Sequence, residues 1–249
     1  VFASYWDQNG YRKQSDINKQ WISYEYHKEL SRNTQLDLTT YYGRVTYQTP
    51  GGLTLKQYQT DPIQARPAAG AFLSAVDQQA TFRLRTFGLG VQLSSQWNEN
   101  LSFTTNQSIQ LNSIENPTIR NYEIRKEPNY SSRNVVHYKK EALSIDAGLE
   151  FQAGTFDSQT FGNRKGIKDT LQVTQNTSLQ TGSLFMQAEY KIHERWQVTL
   201  AGSYNQFWTA YVGNEGIFSP RIAVLHQLTP RQNVVFKVVH GYSPPSISE

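Results

Sequence analysis

The chain has 249 residues, a formal net charge of +4, 13% aromatic and 18% charged residues, and no cysteine. Mean hydropathy is −0.62 and no run of about 18 apolar residues occurs, which excludes a bundle of membrane-spanning helices but not a membrane β-barrel, where only alternate residues face lipid. The aromatic content excludes a disordered chain. The missing cysteines exclude disulfide frameworks and thiol chemistry, and Lys and Arg do not cluster as a nucleic-acid patch would. The chain opens at Val1 without a charged and apolar leader and closes on SPPSISE without an evident closing element, so it reads as a section of a longer protein.

In chain order, residues 20–29 and 35–47 show mixed patterns, with Ile22, Tyr24 and Tyr26 against Ser23, Glu25 and His27; a short turn near Ser31–Asn33 separates them. A long connection rich in Pro, Gly and polar residues covers 48–80. In 81–97, Phe87, Leu89, Val91, Leu93 and Trp97 share one face, yet Phe82 and Leu84 sit on the opposite parity with Arg83 and Arg85 between them. A bulge near Thr86, or a strand projecting beyond a membrane, accounts for that phase change. After a turn at Asn98–Asn100, residues 101–112 set Leu101, Phe103, Ile109 and Leu111 against Ser102, Thr104, Asn106, Ser108 and Gln110. A second long connection is expected over 113–131. Residues 143–153 then set Leu143, Ile145, Leu149 and Phe151 against Ser144, Asp146, Glu150 and Gln152.

A third long connection is expected over 157–181, before 184–192, where Leu184, Met186, Ala188 and Tyr190 oppose Gln187, Glu189 and Lys191. A turn at His193–Arg195 leads to 196–208, with Trp196, Val198, Leu200, Tyr204 and Trp208 on one face and Gln197, Thr199, Ser203 and Asn205 on the other. A last long connection is expected over 209–219, and a last short turn at Thr229–Gln232. Period-2 alternation of this kind marks strands with one greasy and one wet face. Runs of about 12 residues are roughly twice the usual globular strand. Short turns at one end and long loops at the other are the layout of an outer-membrane barrel. The fold class expected is therefore all-β: an antiparallel up-and-down meander of about ten strands, a section of a large transmembrane β-barrel.

Distances support the reading. Trp196 and Trp208 lie roughly 40 Å apart along an extended strand, or about 28 Å along the membrane normal at a tilt of about 45°. That matches an apolar band about 25 Å tall between aromatic girdles. Trp97, beside a short turn, belongs to the girdle of Trp196. Leu200, Val198, Leu149 and Leu111 are expected to face lipid, and Thr199, Ser203, Glu150 and Gln110 the lumen.

These residues resemble a known family, the TonB-dependent outer-membrane receptors of the siderophore class. The stretch SPRIAVLHQLTPRQNVVFKVVHGYSPPSISE (219–249) carries the most specific match, through Tyr242, Ser243, Pro244 and Pro245. SLFMQAEYKIHERWQVTLAGSYN (183–205) is similar to the preceding hairpin of the family, and GGLTLKQYQTDPIQARP (51–67) to a segment of its long extracellular loop. The resemblance implies a partial receptor barrel over 1–249, with neither the plug domain nor the energy-coupling box of the family in the chain. It also implies a location in the outer membrane of a Gram-negative bacterium. The partners implied are a ferric siderophore or related chelate, the TonB complex through the missing N-terminal region, and outer-membrane lipid.

No enzymatic motif emerges, and neither a cofactor nor a metal is expected. His27, His137, His193, His226 and His240 are scattered, GNRKG (162–166) lacks the lysine-hydroxyl ending of a phosphate loop, and Asp146 with Glu150 reads as hydrated lumen wall. The candidate ligand contacts lie in or beside the expected long loops: Arg66, Arg120, Tyr122, Arg125, Tyr130, Arg133, Arg164, Lys165, Trp208 and Tyr211. Arg forks suit carboxylate and catecholate oxygens, and Tyr and Trp supply flat contact area. Interleaved Tyr and Arg make 120–133 the leading candidate. Two other classes fit less well. A secreted soluble adhesin or glycan-binding module needs shorter strands whose greasy faces meet each other, and a passive porin lacks such loops.

Overall fold

The computed structural model describes residues 1–209 and 213–241. The strands are β1 (Phe2–Gln8), β2 (Ile17–Ser31), β3 (Thr34–Gln48), β4 (Thr81–Asn98), β5 (Leu101–Pro117), β6 (Asn121–Lys140), β7 (Leu143–Arg164), β8 (Ile167–His193), β9 (Trp196–Thr209), β10 (Gly213–Thr229) and β11 (Gln232–Val239). One short helix, α1 (Leu55–Thr60), interrupts the connection between β3 and β4. The strands form one eleven-stranded sheet in sequence order, every neighbour antiparallel. No second sheet covers either face among the described residues, so the greasy faces do not meet each other as a soluble sandwich would require.

Register carries the side-chain alternation across the whole sheet. Leu149 pairs with Leu184, Leu184 with Tyr204, and Tyr204 with Phe218, so these four share a face. Phe87, Leu111, Leu200 and Ile222 belong to that face too. Leu149 is 57% and Leu200 54% exposed, whereas Thr199, next to Leu200, is 8% exposed. Thr86, Ile114, Val135, Ser158, Phe207 and Ala223, all on the parity of Thr199, are buried as well. One face therefore converges and shields itself while the other splays outward, as on the wall of a cylinder; we call them inner and outer. Leu111 and Leu149 lie outward with Leu200, and Val198, half-buried, shares their parity. Ser203, Glu150 and Gln110 lie inward with Thr199.

Two-residue turns join the strands at one end, at 32–33, 99–100, 141–142, 194–195 and 230–231. The turn at Lys140–Leu143 carries no Gly, Asn or Pro, and Glu141 takes φ 51 there.

The other end corrects three expected loops. Residues 113–131, 157–181 and 209–219 are mostly strand: β5 and β6 are separated by 118–120 only, β7 and β8 by 165–166 only, and β10 already begins at Gly213. Lys165 (φ 55) and Gly166 (φ 83) both take the left-handed region, the geometry of a tight hairpin. The expectation failed because beyond a bilayer both sides of a hairpin meet water. Binary alternation then fades while backbone pairing continues. The 48–80 connection is the one expected long loop that is real. The phase change in 81–97 involves no bulge at Thr86, since β4 stays in unbroken register with β3 from Thr34↔Ser95 to Gln48↔Thr81. Phe82 points inward and stacks on Tyr47, centroids 5.0 Å apart, in the part of the strand where no lipid dictates the outer face.

Candidate functional site

The inner wall, built from every second residue, is mostly polar, with apolar side chains such as Ile114, Val135 and Phe207 set among the polar ones. His27 meets Asp37 at 2.6 Å and His137 meets Asp146 at 2.7 Å. Arg133 pairs with Glu150 at 2.6 Å and lies over the Phe185 ring at 5.0 Å. Ser108 and Ser131 share a hydrogen bond of 2.7 Å, Thr86 donates to Asn112 at 2.8 Å, and Ser183 donates to Asn205 at 2.8 Å. Such residues cannot face hydrocarbon, and here they satisfy one another or water. Two glycines make room for an inner aromatic pair: Trp21 stacks on Tyr41 at 4.7 Å. A Cβ at Gly43 would lie 2.7 Å from the Trp21 ring, and one at Gly88 would lie 2.2 Å from the Tyr41 ring.

At the end away from the tight turns, the 49–80 loop is clamped from two sides. On one side Arg12 donates to Gly51 O at 2.9 Å and twice to Gln64 O at 3.0 and 2.9 Å, and Gln14 donates to Ala80 O at 3.0 Å. On the other side Gln78 donates to Ile119 O and Asn163 O at 3.2 and 3.1 Å and accepts from Lys165 N at 2.8 Å. Asn163 returns the contact, donating to Gln78 O at 2.9 Å and Thr118 O at 2.6 Å and accepting from Gly166 N at 2.9 Å. Ala65, Ala75 and Ala80 form a small apolar centre beneath, against Ile119. A Thr54 capping box starts α1, with Thr54 accepting from Gln57 N and Gln57 from Thr54 N. The loop and both hairpin tips thus form one hydrogen-bonded cap.

The expected ligand contacts sort into distinct environments. Arg120 is exposed at the β5–β6 tip with its guanidinium 4.9 Å over Phe72, and Arg66 donates to the adjacent Leu73 O at 3.3 Å. Both arginines therefore converge on the Phe72–Leu73 segment, and neither has a carboxylate partner among the described residues. Arg164 is exposed at the β7–β8 tip, beside Lys165. Arg125 points inward but sits between Glu123 at 3.4 Å and Glu127 at 2.9 Å, so its charge is already compensated, as is that of Arg133. Tyr130 lies on the outer face and donates to Gln107 at 2.6 Å. Tyr122 is also outward and buried, and it donates to Glu115 at 3.1 Å, which in turn lies 3.6 Å from Arg83. Burial first, then the Glu115 charge and hydrogen bond, raise the Tyr122 phenol above its usual value of 10.0. Interleaving in 120–133 thus does not put Tyr and Arg on one surface, because neighbours in a strand alternate faces.

Trp97 and Trp196 lie exposed on the outer face at the tight-turn end, stacked on Phe103 (5.7 Å) and His226 (4.0 Å). Trp208 lies outward at the other end of β9, against Gly182. Tyr211 and the Tyr242–Pro245 segment fall outside the described residues. Sequence reasoning missed Gln78, Asn163 and Arg12: their partners are backbone groups brought near only by the fold. The two acids flanking Arg125 went unread with the strand that carries them: i±2 shares a face only once 121–140 is known to be strand.

A family model described as TonB dependent receptor-like, beta-barrel, matches residues 3–249. The chain belongs to the TonB-dependent receptor family. Its barrel section superposes on Pseudomonas aeruginosa FpvA bound to heterologous pyoverdines, with a TM-score of 0.75 at 11% identity, over 94% of this chain and 37% of that one. It also superposes on the ferric yersiniabactin uptake receptor FyuA of Yersinia pestis (TM-score 0.71, 8% identity, 94% and 40%). The ferric preacinetobactin receptor BauA of Acinetobacter baumannii gives a TM-score of 0.70 at 10% identity, over 94% and 41%. No curated protein sequence matches the chain. The TonB-dependent receptor section seen here spans well under half the length of these solved structures.

Proposed function

We propose that this chain is the wall and part of the mouth of an outer-membrane receptor that takes up a ferric siderophore or similar iron chelate, driven by the TonB complex. The observation that carries the reading is the partition of one set of strands into an apolar outer wall and a mostly polar inner wall, capped by a hydrogen-bonded loop assembly. Trp97 and Trp196 mark one edge of the lipid band in this reading and Trp208 the other. The chain supplies no bond-making chemistry: chelate is captured at the cap and passes through the lumen. Of the cationic candidates, Arg66, Arg120, Arg164 and Lys165 are the ones left to meet an anionic chelate, since Arg125 and Arg133 are compensated by carboxylates.

The test is uptake of radioactive iron by a deletion strain complemented with the full receptor, on a panel of ferric siderophores. Uptake of at least one chelate that stops when the coupling complex is removed is expected. Replacing Arg66, Arg120 and Arg164 together by Ala should weaken capture, more at low salt than at high salt. No chelate-dependent difference between the complemented and deletion strains overturns the proposal.

A further inference from the structure

On the outer face, a rank of cations crosses β3 to β6. Arg44 lies directly opposite Arg85, Arg85 opposite Ser113, and Ser113 opposite Lys126. Like charges facing each other across a ladder destabilise it unless an anion lies between them. None of the three has a carboxylate within 4.0 Å among the described residues, in contrast to Arg83, Arg125 and Arg133. All three side chains are exposed.

The next rank toward the tight turns is apolar. Tyr42 pairs with Phe87, Phe87 with Leu111, and Leu111 with Pro128. Arg85, Lys126 and these apolar side chains line one groove of about 460 Å³, which also holds Asp157, opposite Lys126; Arg44 is not in its lining but stands beside it, opposite Arg85. Thr34 to Arg44 and Trp97 to Arg85 span roughly 33 and 40 Å of strand, or about 23 and 28 Å along the normal at a tilt of about 45°. The cations therefore lie at the upper edge of an apolar band about 25 Å tall, and the apolar rank lies just inside it.

We infer that the Arg44–Arg85–Lys126 rank is a binding site for the phosphorylated headgroup of a lipid in the outward-facing leaflet, with its acyl chains laid along Tyr42, Phe87, Leu111 and Pro128. Guanidinium forks match phosphate oxygens two by two. A chelate on its way through the lumen does not meet this site, which is on the opposite face. A soluble protein partner does not fit either, because the lower half of the groove lies at lipid depth. The inference rests on the reading of the outer face as lipid-contacting.

The experiment uses the full receptor, extracted in mild detergent and stripped of lipid. Binding of lipid A bearing two phosphates is measured by titration and native mass spectrometry, alongside the same lipid dephosphorylated and inorganic phosphate alone. Arg44→Gln/Arg85→Gln is expected to weaken binding of the phosphorylated lipid by about thirtyfold, the factor two surface cations supply. Lys140→Gln, at the other end of β6, is expected to bind as the parent does. Dephosphorylated lipid is expected to bind weakly, and millimolar inorganic phosphate not to displace the lipid. Unchanged affinity in the double variant, equal binding of the dephosphorylated lipid, an equal loss in Lys140→Gln, or displacement by phosphate alone overturns the site. Heat-modifiable mobility and outer-membrane fractionation of the parent receptor are read in parallel. If those fail, the receptor reading has failed; if they hold and lipid binding does not respond, only the site has.

Discussion

Leu200 and Thr199 are neighbours in β9 and sit in different solvents. The outer face, represented by Leu149, Leu184 and Leu200, is splayed, and on β9 it carries no charge between Trp196 and Trp208. The inner face, represented by Thr199, Glu150 and Arg133, is crowded and cross-linked by hydrogen bonds and ion pairs. The comparison teaches that burial has reversed its usual meaning in this sheet. The large apolar residues are the exposed ones, because lipid rather than protein covers them. The buried residues of the wall lie mostly on the inner face, polar Thr86, Ser158 and Thr199 beside apolar Ile114, Val135 and Phe207, because the inside of a curved wall has the least room.

The largest effect should come from reversing that assignment. Leu149→Lys, roughly 14 Å above the tight-turn end along the normal, should destabilise the receptor in lipid vesicles by about 2–4 kcal/mol, whereas Gln152→Lys on the inner face of the same strand should change it by less than about 0.5 kcal/mol. Denaturant titrations in vesicles measure both; equal costs would erase the distinction between the faces. A smaller loss, about 1–3 kcal/mol, is expected for Gly88→Leu, whose side chain enters the space of the Tyr41 ring. The same titration should show no comparable loss at Gly52, where nothing lies within 4 Å of an added Cβ.

Next in size is a local effect at the cap. Asn163→Ala removes the bonds to Gln78 O, Thr118 O and Gly166 N. Amides of the 49–80 loop should exchange faster, by an amount corresponding to about 1–2 kcal/mol, while the global unfolding midpoint stays put. Uniform loss across the barrel would mean that the cap and wall are one cooperative unit. The smallest effect concerns alkaline pH. Tyr122 is raised above 10.0 in the folded state, so the folded chain holds this proton more tightly than the unfolded one. Its contribution is fully present below about pH 10 and is lost as pH rises through the folded value. Tyr122→Phe should therefore flatten the fall of stability above pH 10, at the cost of the Glu115 hydrogen bond below it; an unchanged slope would show that the phenol does not titrate with unfolding.

Much of the wall was legible from alternation. The facing of Leu111, Leu149 and Leu200 against Gln110, Glu150 and Thr199 follows from a period of two wherever lipid fixes one side. Where both sides meet water, as in 113–131 and 157–181, the same backbone continues with no pattern to betray it, and strands read as loops. Candidate contacts inherited that error. Interleaved in an expected loop, Tyr122 and Tyr130 join Arg125 and Arg133 as candidates, whereas a strand sends alternate residues to opposite faces. The clamp formed by Arg12, Gln78 and Asn163 had no signature at all, since an amide bonded to backbone carbonyls leaves no spacing in the chain.

By itself, then, the sequence determined the things that depend on neighbours one or two residues apart: the all-β class, the two facing parities, the short turns at 32–33, 99–100, 194–195 and 230–231, and the resemblance to a receptor family. The tertiary structure alone decided what depends on strand register. Only register sets Arg44 opposite Arg85, leaving both unpaired, while giving Arg133 to Glu150. The physical reason is that charge pairing acts over a few ångströms, and residues far apart in the chain come within that reach only when the ladder of backbone hydrogen bonds has fixed which strand residues stand opposite each other.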